Sequence, residues 1–344
     1  MCGKMFKKRR RSLLFLRFLT VFLLLSGAAH AQSRQSTLLI EAESGRVLMS
    51  ENATEKRYPA SLTKMMTLYM AFDALEKKEI TIDKKLPVSV KASRMPKSRM
   101  GLKAGTTISL EDAIFAMISR SANDAAVVVA EALGGSEAQF ADKMTRVARE
   151  LGMKDTRFKN ASGLHNKDQV TTARDMAILS AALIEHFPEY YKFFSIRGFR
   201  YGRRYFGNHN LVARFYKGGD GLKTGYVDAA GYHVVGSAKR DGKRVIGVVM
   251  GRNSVRERDR HIFRLLDLGF SMLKKESAET TVAALSAQPE FKAVEKPATK
   301  EDFRSRKAAE RRIIDETDAV ASLPDSLKMQ IAGKVTKNAV IEWR

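Results

Sequence analysis

The chain has 344 residues, 44% of them hydrophobic, with 61 Lys/Arg against 38 Asp/Glu and a formal net charge of +23. That length allows one large domain or two smaller ones, with enough apolar residues for a sizeable core. The only cysteine is Cys2, which excludes an intrachain disulfide, a catalytic thiol in the mature chain and any Cys-based metal site.

Lys4, Lys7, Lys8, Arg9, Arg10 and Arg11 precede an apolar run from Leu13 to Leu25, and Ala29-His30-Ala31 fits a small-x-small cleavage pattern. Residues 1–31 are therefore expected to be a secretory signal peptide. The alternative is an uncleaved N-terminal anchor, for which the run is short, since a span needs about 20 apolar residues. Seven of the Lys/Arg lie in residues 1–31 and 13 in residues 275–344, where 12 of the acids also lie; residues 32–274 keep 41 against 26, a net of +15. The positive field thus belongs to the expected folded domain. It draws polyanions; for an exported protein these are anionic wall polymers or a membrane surface rather than nucleic acid. A merely solvated basic surface is the alternative.

Residues 37–41 and 46–50 predict a β-hairpin around Ser44-Gly45. Leu62, Met65, Met66, Tyr69, Phe72 and Leu75 recur at helical spacing and predict a helix from Ser61 to about Glu76, with its methionines in the core. Residues 88–107 are expected to be strands and loops. Ser109 with Asp112, Ser136 with Gln139, and Thr172 with Asp175 read as helix starts. Gly134-Gly135 ends the helix between the first two. Residues 232–238 and 244–250 are strand-like, and Asp241-Gly242 between them is a hairpin turn. A last helix is expected from Arg256 to Lys274. Strands at both ends with helices between predict an α+β fold, a mixed sheet packed by helices. From residue 275 the composition turns to Ala, Glu, Lys, Thr and Pro, and residues 275–344 are expected to be a low-complexity linker or tail with short helices. Leu327, Ile331, Val335 and Ala339 are spaced for a weak membrane-surface helix.

Three short motifs carry chemistry. In Ser61-Leu62-Thr63-Lys64, residues three apart share a helix face, so a lysine amine can reach a serine hydroxyl. A hydroxyl needs a base to become a nucleophile, and a lysine serves if desolvation or a nearby cation lowers its pKa. Ser121-Ala122-Asn123 offers a proton relay and an amide that can hold a substrate. Lys223-Thr224-Gly225 offers a cation and a hydroxyl for a carboxylate, with a glycine that lets a ligand backbone approach. Each motif alone is weak: Ser271-Met272-Leu273-Lys274 and Ser50-Glu51-Asn52 fit the first two patterns. Order and spacing make them one signal, each being expected where an element begins. The six histidines show no ligand spacing and no metal or other cofactor is expected; no G-x-S-x-G occurs.

With Tyr58-Pro59-Ala60 before Ser61, Ala161-Ser162-Gly163-Leu164, residues 172–177 and Asp220 to Tyr226, residues 35–274 resemble the serine-type D-alanyl-D-alanine carboxypeptidases, the low-molecular-mass penicillin-binding proteins. The resemblance implies an antiparallel sheet flanked by helices beside an all-helical region, with the active site between them. It implies a catalytic domain over residues 32–274 that removes the terminal D-alanine from peptidoglycan stem peptides, is acylated by β-lactams and works in the periplasm, either free or associated with the membrane. It implies Ser61 as nucleophile, Lys64 as base, Ser121, Asn123 and Lys223 as the proton and hydrogen-bond network, Thr224 and Arg258 on the terminal carboxylate, and an oxyanion hole from the N–H groups of Ser61 and Tyr226. His209 lies near a place where some members carry a second substrate-binding arginine. The alternatives left open are a D,D-endopeptidase on cross-links, a β-lactamase, and a non-catalytic wall-binding protein.

Overall fold

The structure, a computed structural model, describes residues 35–286. The expected signal peptide and the tail beyond residue 286 lie outside the described residues. In chain order the elements are β1 (Ser36–Glu41), β2 (Val47–Glu51), a 3-10 turn (Ala60–Thr63) that runs into α1 (Lys64–Glu76), β3 (Lys85–Pro87), α2 (Val90–Ser93), β4 (Thr107–Ser109) and α3 (Leu110–Phe115). A π-helical turn (Ala116–Arg120) follows, then α4 (Asn123–Gly134), α5 (Glu137–Glu150), α6 (Ala173–His186), α7 (Pro188–Tyr191), and a second 3-10 turn (Lys192–Ser195). The chain ends its described part with β5 (Gly198–Tyr201), β6 (Arg204–Gly207), α8 (Leu211–Phe215), β7 (Gly219–Val227), β8 (Gly231–Arg240), β9 (Lys243–Arg252) and α9 (Val255–Ser286).

β1, β2, β7, β8 and β9 form one antiparallel sheet in the order β2-β1-β9-β8-β7. Period-two alternation sorts its side chains between two cores. Leu39, Val234, Ala238, Val245 and Val249 pack beneath Ile262, Leu265, Leu266 and Leu273 of α9. Leu38, Ile40, Val235, Ile246, Val248 and Met250 face the other way and join the large core of the helical region. Gly236 pairs with Gly247 across β8 and β9. A Cβ at either would stand 2.9 or 2.7 Å from the Ile262 side chain, so this pair lets α9 lie close on the sheet. On the opposite side α1 is buried almost all round, Met65, Met66, Leu68 and Phe72 being fully enclosed, which makes it the central helix of the domain.

The three expected caps form: the Ser109, Ser136 and Thr172 hydroxyls accept the N–H groups of Asp112, Gln139 and Asp175. The Ser44-Gly45 and Asp241-Gly242 turns join paired strands as the sequence predicts. Four expectations need correction. Ser61 stands on a 3-10 turn, not on an α-helix, because Ala60 at φ 48° turns the chain just before it. Residues 88–107 contain a short helix, capped by the Ser89 hydroxyl, with strands only at their flanks. Lys223-Thr224-Gly225 lies in the middle of β7 rather than at the start of an element. The last helix continues past Lys274 to Ser286, so the change in composition at residue 275 does not end the element.

Candidate active site

The turn carrying Ser61 lies between the sheet and the helical region. Ala60 holds a left-handed conformation that a residue with a Cβ adopts only under constraint. The constraint comes from two glycines. A Cβ on Gly163 (φ 83°) would fall 1.8 Å from the Ala60 carbonyl oxygen, and one on Gly225 would meet the Ser61 backbone nitrogen at 3.2 Å. From behind, the fully buried His233 of β8 bridges the sheet to this turn. Its Nδ1 accepts the Gly251 N–H at 2.9 Å, and its Nε2 lies 3.1 Å from the Tyr58 carbonyl oxygen. Those two bonds require the neutral Nε2–H tautomer, and burial pushes the imidazole pKa down to about 4.

Lys64, the first residue of α1, is wholly buried. Its Nζ lies 2.7 Å from Asn123 Oδ1, 2.5 Å from the Ser162 carbonyl oxygen and 3.2 Å from Ser61 Oγ. Burial first, and then the charge of Lys223, hold its pKa well below the ordinary lysine value. A neutral amine has two N–H groups and one lone pair. The Asn123 and Ser162 oxygens can only accept, so they take both N–H groups, and the lone pair is left for the Ser61 hydroxyl proton. This geometry can deprotonate a serine.

Ser121 ends the π-helical turn in a left-handed conformation (φ 57°). Its Oγ accepts from Lys223 Nζ at 3.0 Å, and that amine also donates to the Thr224 carbonyl at 2.8 Å. Burial, followed by the Arg258 charge, lowers the Lys223 pKa to about 7. Asn123 opens α4 and anchors its own amide by donating from Nδ2 to the Pro96 carbonyl at 3.0 Å. The structure thus gathers Ser61, Lys64 and Asn123 in one hydrogen-bonded group and Ser121 and Lys223 in a second, joined to the first through the short Ser121–Asn123 segment.

β7 is an edge strand, so one side of its backbone is unpaired and borders an open cleft of about 800 Å³. Ser61, Ser121, Asn123, Thr224, Gly225, Tyr226 and Arg258 all line it. Tyr226 stacks on Tyr232 at 4.3 Å, giving the cleft an aromatic wall. Arg258 is 6% exposed and pairs with the adjacent Asp259 through Nε and Nη2 at 2.8 and 2.9 Å; Nη1 is outside that pair. His209 also lines the cleft, and its own N–H reaches the Ser119 carbonyl. The decoy Ser271-Met272-Leu273-Lys274 lies on α9 with Leu273 buried, and Ser50-Glu51-Asn52 lies at the exposed end of β2; neither lines the cleft.

Sequence reasoning gave no role to Asp124. Its buried carboxylate accepts the N–H groups of Met100, Gly101 and Leu102 at 3.0, 2.9 and 3.2 Å and fixes the loop that carries Pro96 and Ser98 over Asn123. Its position beside the Ser121-Ala122-Asn123 motif was the only sequence signal. The Ser162 carbonyl was also missed, because a backbone acceptor leaves no side-chain signature. Among the described residues, no group of three His, Cys, Asp or Glu side chains is placed to hold a metal.

A serine beside a buried lysine whose pKa is held low, with a second lysine and an arginine on the far side of an open cleft, has the geometry that serine-based acyl transfer requires. The sequence profile of the D-alanyl-D-alanine carboxypeptidase family matches residues 26–254. The chain is 36% identical over 246 residues to D-alanyl-D-alanine carboxypeptidase DacF of Bacillus subtilis, covering 70% of this chain and 63% of that protein. It is 36% identical over 240 residues to D-alanyl-D-alanine carboxypeptidase DacC of Escherichia coli, covering 68% and 60%. The chain therefore spans less than two thirds of the length of these curated relatives. Penicillin binding protein 5 from Haemophilus influenzae superposes with a TM-score of 0.67 at 34% identity, over 71% of this chain and 73% of that one. Penicillin-Binding Protein D2 from Listeria monocytogenes, in its ampicillin-bound form, gives 0.60 at 33% identity, over 68% and 96%. The chain belongs to the D-alanyl-D-alanine carboxypeptidase family.

Proposed function

We propose that this protein is an exported serine carboxypeptidase that removes the terminal D-alanine from peptidoglycan stem peptides ending in D-alanyl-D-alanine. The observation that carries this reading is the buried Lys64 amine, 3.2 Å from Ser61 Oγ with its two N–H groups committed elsewhere. Lys64 takes the Ser61 proton as Oγ attacks the carbonyl between the two D-alanines. The backbone N–H groups of Ser61 and Tyr226 receive the oxyanion. Asn123 holds the substrate amide, and Thr224 and Arg258 hold the terminal carboxylate. The proton passes from Lys64 through Ser121, held by Lys223, to the leaving D-alanine nitrogen, which returns Lys64 to its neutral form. Water then attacks the acyl-enzyme, with Lys64 again as base. A β-lactam acylates Ser61 by the same first step and leaves slowly.

The substrate lies outside the cytoplasm, in the periplasm, which is the destination that a cleaved leader over residues 1–31 provides. The net +15 of residues 32–274 favours approach to anionic wall polymers or a membrane surface. Among the described residues no helix is long and apolar enough to cross a membrane.

The test is covalent labelling. The protein and its Ser61→Ala variant are incubated with a fluorescent penicillin and run denatured. Label on the wild type alone, together with D-alanine release from a pentapeptide, is expected. An unlabelled, folded wild type would overturn the reading.

A further inference from the structure

The cleft carries more positive charge than the proposed reaction needs. Four cationic side chains line it: Lys97, Arg120, Arg214 and Arg258; no Asp or Glu does. Three of them, together with Lys223, crowd His209. The protein around that ring and then the charges of Lys223, Arg120, Arg258 and Arg214 push its pKa down, so at neutral pH it adds no charge of its own. Among the described residues, only Arg258 of these four has a carboxylate partner, Asp259. Arg214 is half-buried against the Phe215 ring, with Nη1 3.5 Å from the Asn208 carbonyl oxygen. The Nε of Arg120, one residue before Ser121, is buried and has no hydrogen-bond partner among the described residues. The field continues outward. The β5–β6 hairpin displays Arg197, Arg200, Arg203 and Arg204 to solvent, and residues 190–219 contain no acid at all.

Placing guanidinium groups in a half-enclosed cleft costs desolvation, which a bound anion offsets. The terminal carboxylate of the substrate can neutralise one of them. Resting on the carboxypeptidase reading, we infer that Arg120 and Arg214 form a second anion subsite. The preferred substrates are then acyl-D-alanyl-D-alanine peptides that carry a further carboxylate on the acyl side. Arg120 places that subsite on the wall of Ser121, and Arg214 closes it from α8. The arginines of the β5–β6 hairpin steer such polyanionic chains toward the opening.

The test separates binding from chemistry. On the Ser61→Ala protein, NMR titrations compare acetyl-Glu-D-Ala-D-Ala with acetyl-Gln-D-Ala-D-Ala, two isosteres that differ by one charge, at low and high salt. The glutamyl peptide is expected to bind about tenfold tighter at low salt, the scale of a charge-assisted hydrogen bond. The preference should shrink with salt and fall to within about twofold when Arg214→Gln or Arg120→Gln is added. Equal affinities for the two peptides, no saturable shift with either, or a preference that survives both substitutions would overturn the subsite. Loss of penicillin label on wild type would instead overturn the acyl-enzyme reading, and it leaves these affinities as an independent result.

Discussion

Lys223 is buried and its pKa is lowered to about 7, first by burial and then by Arg258. An unfolded lysine titrates near 10.4. The folded state therefore binds its proton less tightly than the unfolded state. Below pH 7 both forms are protonated, and folding carries the whole cost of a buried ammonium. Between pH 7 and about 10 the unfolded chain holds the proton and the folded chain does not, so stability rises with pH. At ~1.4 kcal/mol per pH unit, the rise from pH 7 to 9.5 amounts to ~3 kcal/mol. Tyr191 works in the opposite direction but outside this window: burial keeps its hydroxyl neutral in the fold, so stability falls once the unfolded phenol ionises near pH 10. The measurement is urea denaturation at pH 7 and 9.5 of the wild type and of Lys223→Met, whose side chain fills the same volume without a charge. The difference between the two proteins should shrink by about 3 kcal/mol on going to pH 9.5, with the variant the more stable at pH 7. A rise left in the variant has the sign expected of Lys64, whose pKa burial also lowers, and is opposed near pH 9.5 by the tyrosines whose pKa burial raises. Equal pH slopes in the two proteins would mean that Lys223 keeps an ordinary pKa in the fold, and the argument from burial would fail.

Lys64→Met should keep the fold and cut the rate of penicillin acylation about 10²–10⁴-fold, the usual share of a general base; a stopped-flow rate within tenfold of wild type would refute the assignment. Asp124→Asn sets an amide NH₂ against the backbone N–H groups of residues 100–102 and should lower stability by about 2–5 kcal/mol in urea melts. The Asp124 charge also favours the protonated form of Lys64, so in this variant the acid limb of the acylation profile should move to lower pH. Gly247→Ala drives a methyl to 2.7 Å from the Ile262 side chain and should cost about 1–3 kcal/mol by overpacking. Adding Ile262→Val should recover part of that loss, and a double variant no more stable than the single would show that the clash is not the cause.

The fold was legible where a local signal and the final packing agree. The three Ser/Thr caps are set by residues three apart, and the Asp241-Gly242 turn needs positive φ at both positions, which it has. β7 was harder: Gly219, Asp220 and Gly221 break any strand pattern, and Lys223 and Thr224 read as solvent-facing. They are buried because both faces of the sheet are covered: Lys223, paired with Val235, lies on the face of the helical region, and Thr224, paired with Val234, on the face of α9, which no local window records. The side chains of the site were readable because the proposed chemistry, a reactive serine with a lysine base and a second lysine, requires those residue types. Their support was not. The Ser162 carbonyl is backbone, His233 looks like any strand histidine, and Asp124 earns its place through amides that lie over twenty residues back in the chain. Arg120 and Arg214 vanish, in a sequence with 61 basic residues, among the solvated ones.

The cations of the site act in series. Beyond burial, which is the larger cause for both lysines, Arg258 lowers Lys223, and Lys223 in turn lowers Lys64. On the proposed reading, the substrate's terminal carboxylate sits beside Arg258 and Thr224. It offsets the Arg258 charge, the second cause after burial that holds Lys223 down, so binding raises the Lys223 pKa above about 7. The lysine facing Ser121 is then an ammonium when a leaving nitrogen needs a proton, while Lys64, shielded by burial, stays the base. Free enzyme and complex must differ in their alkaline limbs. The kcat/KM profile reports the free enzyme and kcat the complex. Its alkaline limb should therefore fall near pH 7 for kcat/KM and at least one unit higher for kcat, in D-alanine release from a pentapeptide. Coincident limbs would show that the carboxylate binds too far from Arg258 to act on Lys223.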